Sequence, residues 1–437
     1  EPGKSRVRGA GQAAYAWGGV RRWGRRYGGG MGLLGSHVNK ADVPTIVFVN
    51  TLNWERSGIV EAYIDHESLP PGRRFRIVDR DGRLAKAQPL RSREDGTYWA
   101  IQADSVPAFG YSVYRIELLD GAPEAPVRKA DRTRLENSYY RLTIDPGTGA
   151  VSSLFDKQLS RELVDPASPW QLGQPVHETL GNRHQMEVFE FDDYERTSLS
   201  KVEVTAGDEG PLWTSAFIRG RLGGCEGDDG LQIEIRLFHD RKLIELHYRA
   251  MKKAVTDPES VYVAFPVALE EPKLAFESQG GVVTLGKDLI PGTAQDWQVI
   301  QSFAAARGKG AQVLVSSGQI PLMQFGGINT GRFQEVAEVR RPHLYSWVLN
   351  NYWTTNFCAS QHGELTWTYA ITSTADVSDA FATRHGWSER IPLLARVIPG
   401  GGSKQPAARE SLLSIEGDVL LVGARPSRDD AGILLHL

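Results

Sequence analysis

From Thr45 onward the chain is written in short runs of β-branched and aromatic residues, each closed by Gly, Pro, Asp or Asn. "TIVFVN" (45–50), "GIVEAYID" (58–65), "RFRIVD" (74–79), "YWAIQA" (98–103) and "YSVYRIEL" (111–118) have strand length. Side chains that branch at Cβ or carry rings suit a pleated surface, and turn residues between them mark reversals of the chain. Apolar residues spaced three and four apart, the mark of a long surface helix, are almost absent, and no repeat of roughly 20 to 50 residues is visible. The expected fold class is therefore all-β: a large antiparallel β-sandwich, a super-sandwich, with smaller β-sandwich domains flanking it.

Two hairpins are legible. "RLTI" and "AVSSLF" flank "DPGTG" (145–149), and "LQIEIRLF" and "LIELHYRA" flank "HDRK" (239–242). Pro and Gly supply the backbone angles such turns need. Further strands are expected at "SVYVAFPVAL", "GVVTL", "AQVLVSS", "IPLMQF" and "ELTWTYAIT". Pro- and Gly-rich stretches divide the chain. The expectation is a basic leader over 1–43 and a small β-sandwich over 44–120. A linker over 121–134 leads to the large β-sandwich over 135–397, then a linker over 398–411 and a final, truncated β segment over 412–437.

Charge is unevenly distributed. Residues 1–40 carry eight Lys or Arg against the single acid Glu1, while the whole chain has a net charge of −3. Arginines among Trp17, Trp23 and Tyr27 could meet nucleic acid by phosphate attraction and stacking. The preferred reading is a leader or remnant without a fold of its own, which leaves nucleic acid outside the expected partners. No apolar run approaches the roughly 18 residues of a membrane-crossing helix, so no membrane partner is expected. Cys225 and Cys358 are the two cysteines and form no CxxC pair. A disulfide framework is not expected, and the cytoplasm is the expected compartment.

Motifs for autonomous chemistry are missing. The ten histidines form no HExxH, and His177 with His184, or His239 with His247, would still need a third ligand and a shaped site to hold zinc. "GGGMGLLG" (28–35) follows no strand, so it does not read as a nucleotide loop. Asp192 and Asp193 in "FEFDDYE" are only an arbitrary choice of carboxylate pair among 53 acids. No catalytic residue and no metal ligand is assigned.

Recognition is better represented. "SWVLNNYWTTNF" (346–357) crowds Trp and Tyr among three asparagines. Aromatic faces stack on the C–H face of a pyranose, and amides donate and accept toward vicinal hydroxyls. Adjacent asparagines are poor strand formers that tolerate turns, so the strand is expected to break at Asn350 and Asn351. Trp347 is expected in the core and Trp353 at the loop. The alternative puts both tryptophans in the core and the asparagines in a tight turn.

Seven ordered stretches resemble landmarks of glycoside hydrolase family 38, the α-mannosidases. They are "VFVNTLNWERSGIVEA" (47–62), "SVPAFGYSVYRIE" (105–117), "LENSYYRLTIDPGTGAVSSLFDKQLSREL" (135–163), "LIPGTAQDW" (289–297), "QIPLMQFGGI" (319–328), "SWVLNNYWTTNF" and "LLSIEGDVLLVGARP" (412–426). The resemblance covers the family's β-rich C-terminal half, not the N-terminal α/β half that carries its aspartate nucleophile and zinc ligands. It implies a retaining hydrolase acting on terminal α-linked mannose of oligosaccharides. Zinc is expected in that other half, with the N-terminal catalytic α/β domain as partner, and this chain is expected to be a fragment. Its own share, by resemblance, is a wall of the sugar cleft: Gln324, Gly326 and Gly327 in one loop, and Asn350, Asn351, Tyr352, Trp353 and Asn356 in another. The rival reading is a purely structural β module without sugar affinity.

Overall fold

The computed structural model describes residues 41–121, 128–129, 131–337, 339–352, 359–402, 407–417, 419–429 and 431–437. The basic segment 1–40 lies outside them, and so do the readings that rest on it. Several antiparallel sheets and two short helices make up the described residues, so the all-β expectation holds.

Two compact units divide the chain: Pro126–Ile391, and the residues up to Ala125 together with Pro392–Leu437. In the smaller unit one sheet runs in the order Leu394–Ile398, Thr45–Asn50, Gly110–Leu119, Arg74–Val78, Leu84–Ala85, with Arg409–Ser411 also paired to Gly110–Leu119. The second sheet joins Arg56–Asp65, Gly96–Val106 and Ala87–Ser92. Alternation decides what is buried. Val60, Ala62 and Ile64 point one way along their strand and meet Ile46, Phe48, Tyr114 and Ile116 of the other sheet. Asn50 closes the corner: its amide nitrogen donates to the carbonyls of Trp54, Val106 and Pro107, and its oxygen accepts from Leu52 N and Arg56 Nε.

The division differs from the sequence expectation at two places. Residues 394–397 fall at the end of the expected large domain, yet Ile46 lies opposite Val397 and Val49 opposite Leu394. Likewise 398–411, read as linker, contains the paired strand Arg409–Ser411. Such pairings join residues hundreds of positions apart, which local composition does not encode.

The larger unit is a sandwich. A ten-stranded sheet, built around Gly363–Thr374, Ile244–Lys252, Leu231–Phe238 and Trp213–Arg221, faces a six-stranded one. The six run in the order Tyr194–Thr197, Gln174–Leu180, Glu259–Pro266, His343–Asn350, Leu322–Phe325, Gln298–Val299. Between the sheets lies one apolar core, to which the six-stranded sheet contributes Val261, Val263, Phe265, Met323 and Leu344. The helix Asp379–Arg390, capped by Ser378 Oγ accepting from Phe381 N, rests Phe381 and Ala382 on Phe303 and Leu314. Its apolar positions are few, so it left no helical period in the sequence.

The strand Glu259–Pro266 is buried along its whole length. Alternate residues of a strand face opposite sides, so the outer face of this sheet must be covered as well. Tyr262 and Ala264 sit on that face with Val176, Tyr345 and Trp347, under Trp170, Trp297, Ile328 and Tyr352. The loops that provide this cover also build the candidate site.

Candidate functional site

Glu178 is the centre of the outer face, and it is fully buried. Strand pairing sets Arg196 directly opposite it, and Arg196 Nε donates to Glu178 Oε2 over 2.5 Å. Tyr262, one strand over on the other side, donates to Oε1 (3.3 Å). Two loops supply the remaining donors: Tyr352 to Oε1 (3.0 Å) and Thr330 to Oε2 (3.2 Å). A carboxylate accepts at both oxygens, and here each oxygen has two donors. Arg196 is held in turn by its Nη2 donating to Ile328 O (3.1 Å) and Thr330 Oγ1 (2.9 Å), with its guanidinium 4.4 Å from the centre of the Tyr194 ring.

A bulge shapes the neighbouring strand. The register shifts between Val261 and Tyr262, leaving Val348 extra, so that Trp347 lies opposite Tyr262 and stacks on it at 5.8 Å. Burial drives the Tyr262 hydroxyl pKa far upward, with the Glu178 charge adding to it. The Tyr352 hydroxyl is raised for the same two reasons in the same order. Both phenols are neutral donors rather than acids or bases.

Above this network a cleft of about 350 Å³ opens between Tyr194, Arg196, the turn from Phe325 to Thr330, Arg332, Gln334 and Arg340. Gly326 has φ 82°, a left-handed conformation that disfavours any side chain. Gln324 Oε1 accepts from Asn329 N (2.9 Å) beneath the turn.

The sequence candidates separate. Gly326 and Gly327 line the cleft; Gln324 is buried below it. Tyr352 reaches the same Glu178 that fixes Arg196, so the two loops singled out from sequence do converge on one network. The strand ends at Asn350, whose Oδ1 is shielded without a hydrogen-bond partner among the described residues. Asn351 is buried, and its amide serves the backbone: Oδ1 accepts from Glu259 N (2.6 Å) and Nδ2 donates to Asp257 O (2.8 Å) and Val255 O (3.3 Å). Trp347 is in the core as expected. Trp353 and Asn356 lie outside the described residues.

Sequence reasoning missed Glu178, Tyr194, Arg196, Thr330, Arg332 and Arg340. The pairing of Glu178 with Arg196 is a cross-strand contact that no local spacing announces. Among the described residues no group of three or more His, Cys, Asp or Glu could hold a metal ion. His239 bonds Gly210 O, and His247 bonds Glu245 and Thr368, so they share no centre. His177 instead joins Glu259 (2.9 Å), which also takes Lys252 Nζ, in a buried triad under Asn351. Asp192 and Asp193 are exposed at a turn tied to the Gln185 side chain. Among the described residues, these groups do not fit a zinc site.

Residues 135–316 match the family model described as the glycosyl hydrolases family 38 C-terminal domain. The fold is similar to that of an alpha-mannosidase from Enterococcus faecalis V583, at 13% identity and a TM-score of 0.67, over 91% of this chain and 51% of that one. It is also similar to a protein in the glycosyl hydrolase family 38 from Enterococcus faecalis, at 13% identity and a TM-score of 0.63, over 90% of this chain and 52% of that one. Residues 135–316 are thus similar to the C-terminal domain of family 38, in keeping with the sequence landmarks. It spans about half the length of those solved structures. No curated protein matches it. Among the described residues no helix is long and apolar enough to cross a membrane.

Proposed function

We propose that this chain is the β-rich C-terminal region of an α-mannosidase, and that it supplies a wall of the site where terminal α-linked mannose of an oligosaccharide is bound. The observation that carries the reading is the cleft formed by the turn after "IPLMQ", within a family 38 landmark, over the Glu178–Arg196 network. The network gives that wall rigidity: Glu178 holds Arg196, Tyr262, Thr330 and Tyr352 together beneath it, so the cleft keeps its shape without a ligand. Pockets for small ligands combine such fixed polar groups with apolar surface, here Tyr194, Phe325 and Ile328.

Hydrolysis belongs, in this reading, to an N-terminal α/β domain holding the nucleophile and the zinc, in a cytoplasmic enzyme. Phe189, Phe333 and Val336 are 70%, 61% and 67% exposed in or beside segments that line the cleft. Exposed large apolar side chains are the kind of surface a protein partner covers.

Saturation-transfer NMR and calorimetry with methyl α-mannoside, an α-linked mannobiose and methyl β-galactoside test the sugar reading on the chain itself. Dissociation constants on the order of 1 mM for the mannosides, weaker for the galactoside and abolished by Gly327→Val, are expected. Absence of any mannoside binding would leave the purely structural module.

A further inference from the structure

The cleft is held from two sides. Glu178 grips Arg196 and Thr330 from below, but the rim from Asn329 to Gln334 is also stitched to the segment that carries Gln295 and Asp296. Gln295 N donates to Gln334 O (2.7 Å), Ala337 N donates to Gln295 Oε1 (3.3 Å), and the Asn329 amide donates to the Asp296 carbonyl. Neither 289–297 nor 326–337 belongs to a strand, so bonds of this kind, rather than a ladder, fix the rim.

Asp296 sits at this junction without a counter-charge. The residue is 6% exposed, and its Oδ1 has no hydrogen-bond partner among the described residues. An orphan oxygen is tolerable on a neutral carboxyl, but on a carboxylate it leaves charge out of water. Burial accordingly raises the Asp296 pKa, against the downward pull of the N–H groups of Gln334 and of Asp296 itself. The charged groups on the elements packed here are otherwise engaged or turned to solvent. Arg332 lies on the Phe191 carbonyl, Arg341 and His343 on Asp165, and Lys287 beside Asp288. Arg340 lines the cleft, and Glu335 is exposed. None of these charges contributes to the shift, which comes from burial and backbone.

We infer that Asp296 is a proton-operated latch on the rim of the cleft: uncharged, it packs between the two segments, and ionised, it parts them. By linkage, a carboxyl that holds its proton more tightly in the closed rim than in water adds stability to the closed form. That stability is full below the ordinary carboxylate range and is lost as pH rises through the raised value. The rim is therefore firmest in acid and loosens toward neutral pH. This property goes beyond the sugar reading and does not depend on it.

Hydrogen–deuterium exchange of the 437-residue chain, read by mass spectrometry from about pH 5 to about pH 8 and corrected for intrinsic rates, tests the latch without any ligand. Peptides covering 289–297 and 326–341 should lose protection as pH rises, by at most about tenfold per pH unit, the limit for one proton. Peptides from the core strand Leu231–Phe238 should keep theirs. Asp296→Asn has the same shape without the charge, so it should flatten the profile and hold the rim as firmly as the wild type does in acid. Asp296→Ser serves as a second uncharged variant. Wild-type protection that does not change with pH would overturn the inference even if neither variant folds. A slope that persists in an uncharged variant would overturn it too, because the proton would then belong to another group.

Discussion

Replacing Glu178 with glutamine keeps the size of the side chain and removes one charge beneath the cleft. Both carboxylate oxygens have two donors each: Tyr262 and Tyr352 at Oε1, Arg196 and Thr330 at Oε2. The best amide orientation keeps its oxygen toward Arg196, because a guanidinium cannot accept, while the tyrosine hydroxyls can turn to accept from the NH₂. Even so, the Arg196 side chain, only 20% exposed, loses its counter-charge. Breaking a buried pair from one side costs about 3 to 5 kcal/mol, so the Gln variant should lie near 3 and the Ala variant near 5. Urea unfolding followed by tryptophan fluorescence reads this directly, since Trp170, Trp297 and Trp347 pack on the same face. Adding Arg196→Met to Glu178→Gln should restore part of the loss, as no unpaired charge then remains. A loss below about 1 kcal/mol, the scale of a surface pair, would refute the claim that this network holds the cleft.

Asn351→Ala should destabilise the larger unit by about 1 to 3 kcal/mol, because Glu259 N and the carbonyls of Asp257 and Val255 lose their partner; equal stability in urea would show that the clamp is idle. Trp347→Ala should cost about 3 to 5 kcal/mol as a large-to-small change in a filled core, and a much smaller loss would mean the outer cluster is loosely packed. Acid should weaken the same region. Burial raises the Glu259 pKa, but the bonds from His177 and Lys252 outweigh it and hold the carboxyl below its usual 4.5. A depressed folded pKa adds stability that is present above about pH 4.5 and is lost as pH falls through the lower value. The unfolding midpoint should therefore drop more steeply below that pH in the wild type than in Glu259→Gln; parallel curves would count against the triad.

Strand positions were readable because they depend on neighbours two residues away. "LQIEIRLF" and "LIELHYRA" became the paired strands Leu231–Phe238 and Ile244–Lys252, with the turn where His239–Lys242 sits. The strand break at Asn350–Asn351 was readable for the same reason. The role of Asn351 was not, since its amide bonds a turn more than 90 positions away. Strand order, the return of Leu394–Ile398 to Thr45–Asn50, and the Glu178–Arg196 pair depend on register between distant strands, which composition leaves open. Of the cleft, the turn with Gly326 and Gly327 was reached through the family resemblance, whereas the three arginines are brought together only by folding.

A crystal structure of the chain grown with an α-linked mannobiose tests the central claim most directly. The account predicts sugar density in the cleft, one ring against Gly327 and Tyr194 and hydroxyls within hydrogen-bond reach of Arg332. An empty cleft at a concentration that saturates binding in solution, or sugar bound elsewhere on the chain, would contradict it.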